Sequence, residues 1–117
     1  MPKIYLSPST QDWNMYVTGS GSEEYNMNLL ADALVPYLLS NGIQYQRNRP
    51  EMTAGSSIRE ANQGEYDLYL ALHSNAAPEG RYGEERGIIA FYYPGSVGGQ
   101  RAAELIAQEL RKIYPLP

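Results

Sequence analysis

The chain has 117 residues, 43% hydrophobic and 19% charged, with nine Lys and Arg against thirteen Asp and Glu for a net charge of -4. At that length folding hides roughly two-thirds of the surface the unfolded chain exposes, so one core forms without staples. The absence of cysteine excludes disulfides, a thiol nucleophile and thiolate metal sites, and an acidic balance without a basic cluster argues against nucleic acid as a partner.

Lys3-Ile4-Tyr5-Leu6 is apolar and β-favouring, and Ser7-Pro8-Ser9-Thr10 follows with turn formers, which predicts a first strand. A chain opening on such a segment, rather than on the apolar run of a signal peptide, predicts no export address. Residues 11–22 are polar and rich in Gly, Ser and Asn, so a long loop is expected to lead into a helix. Ser20 with Glu23 three residues on has the form of a capping box. Met27, Leu30, Ala31, Leu34, Val35 and Leu38 then recur at the spacing of one buried helix face, and Gly42 supplies the stop. Pro36 falls inside this pattern, which predicts a kink or a shifted end near Asp32.

Alternation in Ile43-Gln44-Tyr45-Gln46-Arg47 predicts a half-buried second strand. Ser56 caps a short predicted helix through Asn62, ended by Gly64. The run from Asp67 to His73 is the most continuously apolar, which predicts a strand at the centre of the sheet, covered on both faces. Residues 75–86 read as a polar loop. Gly87 to Tyr93 is expected to be a fourth strand, stopped by Pro94-Gly95, and Gly98 to Tyr114 a third helix with Ala102, Leu105, Ile106, Leu110 and Ile113 inward.

Strands alternating with helices predict right-handed crossovers and an α/β fold of three layers, a mostly parallel sheet with helices on both faces, in one domain over residues 1–117. No apolar run approaches the ~20 residues of a membrane span. Ligands of open α/β sheets bind outside the carboxyl ends of the strands. Ser9 to Asp12, Glu23-Glu24 and His73-Ser74-Asn75 all arrive there. His73, the single histidine, suits a metal ligand or an acid–base group; it equally suits a half-buried imidazole satisfied by a backbone carbonyl. Glu24 in a first helical turn also fits a carboxylate complementing the helix dipole.

Three stretches bear on this choice: Glu24-Tyr25-Asn26-Met27-Asn28-Leu29, Ile58-Arg59-Glu60-Ala61-Asn62, and Tyr66 through the segment Leu72-His73-Ser74-Asn75-Ala76. In order, spacing and placement they resemble the zinc-dependent N-acetylmuramoyl-L-alanine amidases of bacterial and phage origin, over nearly the whole chain from Lys3 to Tyr114. The resemblance implies a Zn2+ site with Glu24 and His73 as ligands. It further implies hydrolysis of the amide bond between N-acetylmuramic acid and L-alanine in peptidoglycan, with the bacterial cell wall as the place of action. Asn75 and Arg59 match family positions and are candidate substrate-binding residues; Asn75 also suits a turn cap, and Arg59 a tie between helices.

The chain departs from the family in two ways. Ser7-Pro8-Ser9-Thr10-Gln11 stands where the family has Asp-Pro-Gly-His-Gly, so the family's first ligand histidine falls at Thr10 or Gln11, which leaves Gln11 as the candidate third ligand and Asp12 one place further off. The family's later strand with a base glutamate, and its closing helix, would lie beyond Pro117, so the fold is expected to lack its last strand and helix and no catalytic base is assigned within the chain. An alternative of a different class is therefore carried: an inactive amidase-like module that binds cell-wall fragments. A missing last strand also predicts an open sheet edge prone to self-association.

Overall fold

Five of the six residues of β1 (Lys3–Pro8) are buried, and the first part of the chain is built around it. The computed structural model describes residues 2–16, 19–74 and 87–114. After β1 come α1 (Glu23–Ser40), β2 (Gln44–Arg47), α2 (Ala54–Gln63), β3 (Leu68–Leu72) and α3 (Val97–Arg111). The chain divides into two units, Met1–Ser74 and Asn75–Pro117.

In the first unit the three strands form a parallel sheet of order β2-β1-β3. Parallel neighbours need crossover connections, which α1 and α2 supply. β1, not β3, is therefore the centre of this sheet, a correction to the sequence expectation. Continuous apolarity did not mark the most buried strand: β3 is half-buried along most of its length.

Ile4 and Leu6 join Ala31 and Leu38 of α1 in the core, with Leu34, Val35, Leu70 and Leu72 packed around them. α1 runs unbroken through Pro36, which is exposed. Arg47 ties β2 to α1, donating to Asp32 Oδ1 at 2.7 Å and to Asn28 Oδ1 at 2.8 Å. Tyr5 of β1 reaches Glu60 of α2 instead, and Ser7 is held by Asn48, ahead of that helix. Asn48 Nδ2 donates to Ser7 Oγ at 3.1 Å, Pro8 O at 3.0 Å and Ser57 Oγ at 3.2 Å. α2 begins three residues earlier than expected, because Thr53 is its cap and Ser56 returns the reciprocal bond of a capping box.

The Tyr5 ring stacks on Tyr69 at 5.6 Å, meets Tyr66 edge-on at 5.4 Å, and its hydroxyl donates to Glu60 Oε1 at 2.9 Å. Burial, then that hydrogen bond and the Glu60 charge, push the Tyr5 hydroxyl well above the usual tyrosine range. A raised folded-state value means that the native state holds its proton longer than the unfolded chain does. The contribution is complete below the ordinary tyrosine value of about 10 and is lost as pH rises beyond it. Tyr5→Phe is expected to cost about 0.5 to 1.5 kcal/mol near neutrality through the lost hydrogen bond. Urea melts of both proteins check this: the gap between them should be constant up to about pH 10 and shrink above it, and a gap that widens there contradicts the assignment.

In the second unit, α3 is capped by Ser96, whose Oγ accepts from Gly99 N–H at 3.1 Å. Ile88, Ala90 and Tyr92 share a groove with Ala103, Ala107 and Arg111 of that helix. Two expectations are corrected here. Residues 87–93 form no strand, because no ladder partner pairs with them among the described residues. No residue of α3 is buried, and Leu105, Ile106, Leu110 and Ile113 range from 36% to 82% exposed. Among the described residues no helix is long and apolar enough to cross a membrane.

Candidate functional site

The parallel ladder carries β1 and β3 to the same edge, where Ser9 N–H still bonds Leu72 O at 2.9 Å. Beyond that bond both strands turn polar, and the first turn of α1 meets them. The helix cap is Ser22, whose Oγ accepts from Tyr25 N–H at 3.0 Å. Glu23 is consequently the first helical residue, and it is the acidic residue that turns inward, at 2% exposure.

Three groups surround its carboxylate. The Ser9 hydroxyl donates to Glu23 Oε2 in a short hydrogen bond, and Ser74 N–H donates to Oε1 at 3.0 Å. His73 Nδ1 lies 3.5 Å from Oε2, an ion-pair contact when the imidazole is protonated. Ser9 Oγ also accepts from Gln11 N–H at 3.2 Å. A buried carboxylate is costly unless its oxygens are satisfied, and here both are. A hydrogen bond between the Tyr16 and Ser74 hydroxyls fastens the loop over this cluster.

Residues 11–14 form a turn closed by Asn14 N–H to Gln11 O at 3.3 Å and by Asn14 Nδ2 to Gln11 Oε1 at 3.1 Å. Its base is bonded to α1, with Glu23 N–H donating to Asn14 O at 2.8 Å and Glu24 N–H to Gln11 O at 3.4 Å. A cavity of about 30 Å³ lies beside the cluster, lined among others by Ser9, Gln11, Tyr69 and His73. That is room for a water molecule or an ion.

The predicted residues fall out as follows. His73 is at the site, its side chain 41% exposed. The carboxylate meeting it belongs to Glu23, one position before Glu24. Successive helical residues point about 100° apart, so only one of the pair faces the cluster. Gln11 lines the adjoining cavity, its amide oxygen engaged by Asn14. Arg59 is exposed on α2 and takes no part in the hydrogen bonds around Glu23. Asn75 lies outside the described residues. Ser9 and Ser74 lay within the recognised polar segments without being given a role, and Tyr16 was not singled out at all.

A carboxylate beside an imidazole suits a zinc ion. Among the described residues no group of three His, Cys, Asp or Glu side chains comes together, so a third protein donor here would be a neutral oxygen such as that of Gln11 or Ser9. Fold and site together define an α/β protein whose parallel strands deliver a carboxylate–imidazole pair to their carboxyl edge. No protein-family model matches the chain, and no curated protein or solved structure matches it either.

Proposed function

We propose that this chain is a peptidoglycan amidase domain that cleaves the bond between N-acetylmuramic acid and L-alanine. The observation carrying the proposal is the Glu23–His73 pair held at the strand edge, with His73 where the resemblance to zinc amidases puts an imidazole ligand and Glu23 one position before the Glu24 it names as the acidic one. Glu23 and His73 would hold the zinc, with Glu23 in the role the sequence resemblance gives to Glu24 and Gln11 nearest among neutral donors. Zinc, when bound, supplies Lewis-acid polarisation of the scissile carbonyl. The chain's own part is orientation. The Ser9 hydroxyl and Ser74 N–H fix the Glu23 carboxylate, the Tyr16 hydroxyl fixes Ser74, and the cavity beside His73 admits a water. The same reading places α1 and α2 on opposite faces of the sheet as a three-layer domain, supported by β1, where Ile4 and Leu6 meet α1 and Tyr5 bonds Glu60 of α2.

Gln11, an amide where the family carries an imidazole, favours a second reading, an inactive module that binds cell-wall fragments. Mass spectrometry of purified peptidoglycan incubated with the protein and zinc separates the two. The amidase reading predicts peptide-free muramic acid and peptides with a new L-alanine N-terminus. No general base is assigned among the described residues, so turnover is expected to be about 10²–10⁴-fold below that of an enzyme carrying one. Retention on peptidoglycan with neither product supports the second reading, and cleavage of glycosidic or interpeptide bonds instead contradicts both.

A further inference from the structure

Trp13 is the chain's one tryptophan and is 74% exposed. An exposed indole offers a flat apolar face with a polar N–H at its edge. It is also rigidly presented. Asp12 and Trp13 form the tip of the 11–14 turn, whose ends are bonded to the backbone N–H groups of Glu23 and Glu24. The exposed ring therefore stands on the same short segment that frames the Glu23–His73 cluster, with the exposed carboxylate of Asp12 beside it.

We propose that Asp12 and Trp13 form a glycan subsite, Trp13 stacking on a sugar ring of the peptidoglycan strand and Asp12 accepting from its hydroxyls; the proposal rests on the amidase reading of the adjoining cluster. The C–H face of a pyranose is apolar and slightly positive, and it matches the negative face of an indole. Charge selects among flat partners. A muramic acid whose lactyl group is joined to peptide by an amide bond is neutral, whereas nucleotides and anionic lipids are repelled by Asp12 and by the net charge of -4. The subsite thus recognises the sugar side of the scissile bond.

A single tryptophan makes the test direct, because all indole fluorescence reports Trp13. The probe is the N-acetylglucosaminyl-N-acetylmuramic acid disaccharide without peptide, its lactyl carboxyl blocked as the methylamide so that it stays neutral, with a free stem peptide as the comparison. The disaccharide should shift emission to the blue and protect against iodide quenching, saturably, and the peptide should not. Trp13→Ala should weaken retention on insoluble peptidoglycan about fivefold to tenfold, and Trp13→Tyr should restore most of it. Unchanged emission with the disaccharide, or Trp13→Ala retained as well as wild type, overturns the subsite. Wild-type amide cleavage, followed separately, keeps the two readings apart. Cleavage without an emission change overturns the subsite alone, and an emission change without cleavage supports the subsite while counting against the amidase.

Discussion

Glu23→Gln is expected to weaken zinc binding by more than about 100-fold while the protein stays folded, and Glu24→Gln to leave affinity within a few-fold of wild type. The argument starts from the contacts of the carboxylate. One oxygen accepts from Ser74 N–H and the other from the Ser9 hydroxyl. A glutamine has the same shape, can turn its carbonyl toward Ser74 N–H, and offers its NH2 to Ser9, whose hydroxyl can rotate to accept. The fold should therefore lose no more than about 1 to 3 kcal/mol, while the negative charge facing His73 is gone. Calorimetric titration with zinc, beside a thermal melt, checks both halves. The reverse pattern, with Glu24→Gln losing zinc and Glu23→Gln keeping it, would show that α1 presents the other face in solution.

The second large effect is structural. Leu6 is fully buried at the centre of the three-stranded sheet, paired with Arg47 of β2 on one side and Leu70 of β3 on the other. Leu6→Ala should destabilise by about 2 to 5 kcal/mol, since the cavity is walled by Ile4, Ala31 and Leu38 and a sheet centre collapses poorly. Against a typical total of about 5–15 kcal/mol that is a large fraction. Ile106→Ala on α3, 36% exposed in the wild type, is the comparison and should cost under about 1 kcal/mol. Urea denaturation of the two variants reads the difference, and a Leu6→Ala cost no larger than that of Ile106→Ala would mean the sheet is not where the stability lies.

Much of this was legible in the sequence. The three helices and the first three strands lie close to where periodicity and turn residues put them, and the polar segments after β1 and β3 converge with the start of α1 as the rule for ligand sites in α/β sheets predicts. The identity of the inward acid was not legible. Ser20 and Ser22 are both credible caps, and with the cap at Ser22 Glu23 becomes the first helical residue instead of the third, where a capping-box partner sits. That change of position frees Glu23 from the capping role and leaves it as the buried carboxylate. The segment 87–93 has strand-forming residues, but a strand exists by virtue of a ladder partner, which local sequence does not supply. Position within the sheet was equally hidden: Ser7 of β1 and Ser9 just after it are buried although polar, because Asn48, Tyr69 and Glu23 satisfy them from elsewhere in the chain.

The most direct test of the central claim is zinc stoichiometry by elemental analysis after loading with excess zinc and desalting, measured on the wild type and on His73→Ala. The account predicts close to one zinc per wild-type chain and none in the variant. No zinc in the wild type, or zinc retained without His73, would contradict it.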